Sequence, residues 1–331
     1  MYLSILLLLC CAVAIYAACE FFVNGIEWLG RKLEISETAT GTVLAAFGTA
    51  LPESAVTFVA VAVGASAAQK EIGVGAALGG PLVLATLSYA LVGLVLLFNV
   101  KRLQRKGSRL LMDQRRLSRD QVWFLSIFIL KIGLGLVLFT GKSWFGLFFL
   151  GAYGLYIWKE IRMAGAKPTD LLKPLILRPR AKNPSFGWIT LQTGGALIVI
   201  GIASRMFVLQ LEGMGPWLGM SAQLVSLLLS PIATELPETV NAVIWVRQGK
   251  ERLALANISG AMMIQATVPS ALGIIFTPWL FDVPLIIAGL ITTVAVLVLF
   301  VLFHRGKVSG AGLLPLGTLY LLFIALVAHY A

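Results

Sequence analysis

The chain carries one unusual hexapeptide twice, each time inside a long apolar stretch. Residues 49–54 read T-A-L-P-E-S, and residues 234–239 read T-E-L-P-E-T. A charged carboxylate at the centre of a membrane helix is unfavourable by about 2.5 to 3.5 kcal/mol on insertion scales. Glu53 and Glu238 therefore need a partner or a function that offsets this cost, and their duplication restricts both the fold and the function.

The composition places the chain in a membrane. Of its 331 residues, 59% are hydrophobic and only 12% are charged. No soluble core of this size buries so much apolar side chain, and the long apolar runs without strand-like alternation favour helices over a barrel. We predict ten transmembrane spans, at 3–19, 40–64, 72–100, 121–140, 143–158, 185–204, 217–246, 253–278, 283–303 and 309–330.

The distribution of basic residues predicts the orientation of the spans. Alternate loops hold 22 of the 26 Lys and Arg residues, and basic loops remain cytoplasmic. Both termini are therefore expected to face outward, in a protein of the plasma (cell) membrane. The net charge of +11 follows from this topology and from contact with anionic lipid, and it does not indicate a nucleic-acid partner.

An offset of 185 positions relates the two motifs and further residues upstream of them. The offset aligns Phe22-Val23 with Phe207-Val208, Leu33 with Leu218, Ser36 with Ser221, and Thr49 with Thr234. Residues 1–158 and 185–331 are thus predicted to be two five-helix repeats, and 159–184 a basic cytoplasmic linker. Because five is odd, the second repeat enters the membrane from the opposite side, which gives an inverted-topology repeat with its ion site near the midplane.

Each motif contains a proline whose chemistry suits a cation. Pro52 and Pro237 have no N–H, so each leaves a backbone carbonyl unpaired in its helix. Such carbonyls must be buried in protein or line a polar cavity, and hard cations bind carbonyl and carboxylate oxygens together. The alternative is a simple proline kink whose glutamate bonds to a neighbouring helix.

These residues resemble the alpha-repeat signature of the calcium/cation antiporter superfamily, which includes the sodium/calcium exchangers. The signature G-T-S-x-P-E corresponds to G-T-A-L-P-E at 48–53 and A-T-E-L-P-E at 233–238. The glycine-rich partner motif corresponds loosely to I-G-V-G-A-A-L-G-G-P-L at 72–82 and A-N-I-S-G-A-M-M-I-Q at 256–265. The resemblance implies an all-α polytopic membrane protein of about ten helices, with two inverted repeats.

The resemblance also implies a divalent site. The calcium ligands of the family fall on the carboxylates of Glu53 and Glu238 and on the backbone carbonyls of Thr49 and Thr234. Glu235 adds a third carboxylate next to this pair, and Gln265 falls on the polar position that closes the glycine-rich motif. These six residues form the expected metal site.

The positions that help to bind sodium in the family have changed in this chain. Ala50 replaces the serine of the first motif, and Ala261 replaces the serine of the eighth-span motif. By the motif match in the third span, the serine becomes Gly80 and the asparagine becomes Leu84, although the register there is open. These side chains have lost oxygens, so the counter-ion is either Na⁺ or H⁺.

The function that follows is secondary antiport of a divalent cation, most readily Ca²⁺, in exchange for Na⁺ or H⁺. The chain is not expected to be an enzyme and needs no cofactor; its partners are inorganic cations and the lipid bilayer. Antiport of Mg²⁺ or Mn²⁺ is an alternative, and so is an intramembrane enzyme or channel that uses the paired glutamates. Neither a Ser-His-Asp arrangement nor an HExxH or Walker pattern supports the enzyme.

Lys131 lies near the middle of the fourth predicted span. A lysine at this depth extends to the membrane surface, pairs with a carboxylate or lies in a water-filled path. The sequence leaves these alternatives open. It also leaves open whether Asn257 and Gln265 line the ion site or only bond between helices.

Overall fold

The computed structural model describes most of the chain, namely residues 2–32, 51–105, 107–110, 112–164, 173–306 and 308–330. These residues are almost entirely helical, as the apolar spans predict. In chain order the helices are α1 (Tyr2–Lys32), α2 (Leu51–Val63), α3 (Ala67–Asn99), α4 (Gln114–Gly135), α5 (Phe145–Ala164), α6 (Phe186–Leu218), α7 (Ala222–Thr234), α8 (Leu236–Arg247), α9 (Glu251–Phe276), α10 (Val283–Arg305) and α11 (Gly310–Val327).

Six helices in the described part of the chain are long and apolar enough to cross a membrane: α1, α3, α6, α9, α10 and α11. The other predicted spans correspond to the described part of α2, to α4 and α5, and to α7 followed by α8. The seventh span is thus one membrane crossing that is divided into two helices at Glu235.

Two spans are longer than the sequence predicts. The first is predicted to end at residue 19 and the sixth at residue 204, but α1 continues to Lys32 and α6 to Leu218. The polar residues beyond those points do not end the helices, because they bond within the protein. The Asn24 side-chain oxygen, for example, accepts from the backbone N–H of Ile176 at 3.1 Å and from the side chain of Gln192 at 2.9 Å.

Helices α1 and α6 pack along each other in a second hydrophobic cluster, to which α2, α3 and α7 also contribute. Ile15 and Cys19 of α1 are buried there with Phe207 and Leu211 of α6. A larger core joins α3, α4, α9, α10 and α11, with Phe128 fully buried inside it. Because α3 and α7 contribute to both clusters, they connect the α1–α6 pair to the main bundle.

Close helix contacts in the main bundle depend on glycine. Lipid provides little hydrophobic drive for helix association, so close backbone approach contributes much of the stability. Gly93 of α3 faces Gly310 of α11, and a β-carbon added at Gly310 would lie 2.6 Å from the carbonyl oxygen of Gly93. This contact fixes the distance between α3 and α11.

Gly93→Ala is expected to lower the free energy of unfolding by about 1–3 kcal/mol, because the added methyl group meets the Gly310 carbonyl. Thermal unfolding in detergent measures the effect. Gly151→Ala on α5 is the matched control, since the space around Gly151 is free and alanine is the better helix former. Equal melting temperatures for the two variants would contradict the proposed contact.

Candidate cation-binding site

The two glutamate motifs meet in the interior. Glu53 is the third residue of the described part of α2, and Glu238 lies in the first turn of α8. α7 ends at Thr234 and α8 begins at Leu236, with Pro237 in its first turn. Proline is well tolerated there because the first N–H groups of a helix have no partner within it.

Three carboxylates converge at this break. Glu53, Glu235 and Glu238 each expose only 1% of their surface. Glu53 lies close enough to both of the others to interact electrostatically, and Glu235 is its closer acidic neighbour. Like charges repel strongly in a poorly solvated interior, so the arrangement requires groups that offset the negative charge.

Glu235 is stabilised by the protein itself. One carboxylate oxygen accepts from the hydroxyl of Thr234 at 2.8 Å, and the other accepts from the side-chain amide of Gln265 on α9 at 2.5 Å. Hydrogen bonds of this kind favour the ionised carboxylate. Gln265 therefore bonds to this carboxylate across the helix interface, and its role as a ligand of the ion stays a prediction.

Glu53 and Glu238 differ from Glu235 in this respect. Both oxygens of each carboxylate are buried without a hydrogen-bond partner among the described residues, as is the side-chain oxygen of Gln265. Buried polar atoms without partners are rare in native proteins and point to an ion, a water or a ligand. Carboxylate and amide oxygens together are the donor set that Ca²⁺ and similar hard cations prefer.

Gly80 of α3 forms one wall of the site. A β-carbon at this position would lie 2.8 and 2.9 Å from the two carboxylate oxygens of Glu53, and 3.0 Å from the amide carbon of Gln265. Only glycine, which has no side chain, leaves enough space for the Glu53 carboxylate and the Gln265 amide. The sequence aligns Gly80 with a serine of the family motif, and the structure places this glycine against the carboxylate of Glu53.

The structure does not show the position or role of every predicted ligand. Thr49 and Ala50 lie outside the described residues. For Thr234 the structure shows a role of the hydroxyl, so the predicted role of its backbone carbonyl stays a prediction. Other polar groups of α9 bond elsewhere: the Ser259 hydroxyl bonds to Asp120 on α4, and that of Thr267 to carbonyls of its own helix.

Two hydroxyl groups near the site did not stand out in the sequence. Thr57 lies one turn after Glu53, and Ser230 lies one turn before Thr234. Both are buried, and neither hydroxyl has a partner in the part of the chain that the structure describes. Their one-turn spacing from the motif is the only signal in the sequence, and it is weak because serine and threonine are common in membrane helices.

The acidic residues Glu20 of α1 and Glu212 of α6 bond outside the carboxylate cluster. Glu212 accepts hydrogen bonds from the Ser66 hydroxyl at 2.6 Å and from the Gln69 amide at 2.7 Å. These bonds tie α6 to the turn between α2 and α3. Glu20 is exposed and accepts a bond from Tyr16 of its own helix.

Comparison with known proteins places this geometry among ion exchangers. The family described as "Sodium/calcium exchanger protein" matches residues 3–161 and 188–328. The inner membrane protein YrbG of Escherichia coli (strain K12) is 28% identical over 276 residues, which are 82% of this chain and 78% of that protein.

Two solved structures share the fold. The crystal structure of the H⁺/Ca²⁺ exchanger CAX aligns with a TM-score of 0.72 at 17% identity, over 98% of this chain and 82% of that chain. The sodium-calcium exchanger NCX_Mj aligns with a TM-score of 0.60 at 18% identity, over 98% of both chains. These matches confirm the predicted fold class, an all-α polytopic membrane protein, and the division into two inverted five-helix repeats stays a prediction.

Gly80→Ala is expected to weaken the binding of Ca²⁺ about tenfold or more, because the methyl group occupies the space beside the Glu53 carboxylate. Equilibrium dialysis of the detergent-solubilised protein measures the affinity. Gly154→Ala on α5, where the space is free, is the matched control. If the two variants bind Ca²⁺ equally well, Gly80 does not border the ion.

Proposed function

This chain belongs to the sodium/calcium exchanger family, and on that premise we propose that it exchanges Ca²⁺ for H⁺ at the three carboxylates. The members of the family are transporters, so the alternatives of an intramembrane enzyme or a channel are set aside. The observation that carries the proposal is the pair of buried carboxylates, Glu53 and Glu238, which have no hydrogen-bond donor among the described residues.

The proposed ligands follow from the unpaired oxygens. Glu53 and Glu238 supply carboxylates from opposite repeats, and Gln265 supplies its amide oxygen. The predicted carbonyls of Thr49 and Thr234 add backbone oxygens at the two motif breaks. Ca²⁺ takes about 6–8 oxygen ligands in flexible geometry, which suits a set of mixed carboxylate, amide and carbonyl groups. Mg²⁺ demands a tighter octahedron and gives up its water less readily.

The proposed counter-ion follows from the oxygens that are missing. A sodium site needs several oxygen ligands, but Gly80 and Ala261 provide no side-chain oxygen where the family resemblance expects serine. A proton needs only a carboxylate. Protons therefore suit this site better than Na⁺, and they replace the divalent ion at the same carboxylates.

The packing of α1 and α6 supports a route for alternating access. These helices pack along each other, with Ile15 and Phe207 in a hydrophobic cluster that is distinct from the main core and that α2, α3 and α7 complete. A pair that is packed as a unit is able to shift across a fixed core. In the proposed cycle this shift exposes the site first to one side of the membrane and then to the other.

Glu53→Gln is expected to reduce Ca²⁺ exchange by about 100-fold or more, because the proposed site loses the negative charge of one of its two carboxylate ligands. Uptake of labelled Ca²⁺ into proteoliposomes measures the exchange. Glu71→Gln is the matched control, since Glu71 is exposed at the start of α3. Transport by Glu53→Gln at the rate of this control would rule out the proposed site.

Uptake of Ca²⁺ is expected to follow a pH gradient and to be insensitive to a sodium gradient at constant pH. Proteoliposomes with each gradient in turn, and with the membrane potential clamped, distinguish the two ions. Uptake driven by the sodium gradient alone would overturn the proton assignment but would leave the divalent site in place. Competition by Mg²⁺ and Mn²⁺ in the same assay defines the preferred divalent ion.

A further inference from the structure

Lys131 is buried in the centre of the bundle, and the proposed exchange does not use it. The side chain lies on α4 and has 0% exposure, so it does not extend to the surface of the protein. Its ammonium group donates a hydrogen bond of 2.7 Å to the backbone carbonyl of Ala77 on α3. It forms no salt bridge in the described part of the chain.

The carbonyl that receives this hydrogen bond is one that a proline leaves free. Pro81 lies inside α3, four residues after Ala77, and has no N–H to offer the Ala77 carbonyl. Gly80, next to this proline, lies against the carboxylate of Glu53. The ammonium of Lys131 is thus held by the same helical turn that borders the ion site, close enough to Glu53 to interact electrostatically.

One aromatic contact favours the charged form of the Lys131 ammonium. Its nitrogen lies 5.2 Å from the centre of the Phe128 ring, a distance at which a cation is attracted by the ring face. The indole N–H of Trp279 donates to the carbonyl of Lys131 at 3.2 Å, which fixes the backbone of α4 at this point. Trp279 itself adopts a left-handed φ of 49° and is fully buried, so the packing around it is tight enough to hold a strained residue.

The second repeat has no equivalent charge. Helix α10 contains no Asp, Glu, Lys or Arg before its last turn. Lys131 is therefore present in only one of the two predicted repeats. The same is true of the third carboxylate, Glu235. With a divalent cation bound, three carboxylates and one ammonium give a net charge of zero, whereas without the ammonium the buried site keeps a negative charge.

We propose that the ammonium group of Lys131 competes with the transported divalent ion for electrostatic attraction to the Glu53 carboxylate. This competition allows the ion to leave the site. This inference rests on the proposed function. When the divalent ion is bound, the ammonium is held by the Ala77 carbonyl; when it departs, the ammonium offsets part of the exposed carboxylate charge. Lys131 thus lowers the affinity of the site for Ca²⁺. Without it, a site with three carboxylates would release Ca²⁺ too slowly for rapid exchange.

The test uses two substitutions that are expected to act in opposite directions. Lys131→Met removes the competing charge and is expected to tighten Ca²⁺ binding about tenfold or more. Pro81→Ala restores an N–H to the Ala77 carbonyl, frees the ammonium to approach Glu53, and is expected to weaken Ca²⁺ binding. Equilibrium dialysis measures the affinity, and transport in proteoliposomes measures the turnover, which is expected to fall in Lys131→Met.

A double variant, Lys131→Met with Pro81→Ala, is the control for misfolding. Lys131→Met alone leaves the Ala77 carbonyl without a partner, and Pro81→Ala in the same chain supplies one. The double variant is expected to fold and to retain the gain in affinity. A folded variant without Lys131 that binds Ca²⁺ as weakly as the wild type, or more weakly, overturns the inference alone. Absence of divalent binding by the wild type overturns the proposed function, and the inference with it.

Discussion

The structure of the site depends on how three carboxylates are accommodated in an interior that is poorly solvated. Glu235 receives two donors from the protein, but Glu53 and Glu238 receive none from the described residues. Removing such charges from water is strongly unfavourable unless cations accompany them. The two unpaired carboxylates therefore need a cation in every state that is closed to solvent. Exchange of one ion for another, rather than release into an empty site, follows from this electrostatic requirement.

Prolines determine where the helices near the carboxylates break or lose a backbone hydrogen bond. Pro237 begins α8 directly after the break at Glu235, and Pro81 frees the Ala77 carbonyl within α3. A π-helical turn at Leu84–Ser88 follows Pro81, and turns of this kind are frequent at functional sites. Irregular backbone at membrane depth is stable only where protein or a polar cavity satisfies it. In this protein such positions border the carboxylates.

The sequence predicted the fold class and the residues of the motifs, because a duplicated charge in an apolar span is visible without coordinates. The roles of Glu53 and Glu238 as ligands stay predictions. The position of Gly80 at the site was not predictable, since it depends on the rotation of α3 about its axis. The ends of α1 and α6 were wrong because a hydropathy pattern treats Asn24 and Glu212 as exposed. Their partners lie far away in the sequence, and only the tertiary structure brings them together.

The two repeats have diverged in a way that conserves charge. A symmetrical site would contain one glutamate from each copy and would match the two charges of a divalent cation. This chain adds Glu235 in the second copy, where the first has Ala50, and adds Lys131 in the first copy, where α10 is uncharged before its last turn. The two additions have opposite signs and both lie in the buried interior. Each alone would leave an uncompensated charge, so the roles proposed for Glu235 and Lys131 depend on each other: together they keep the proposed site matched to a divalent ion, and the lysine is proposed to ease its release.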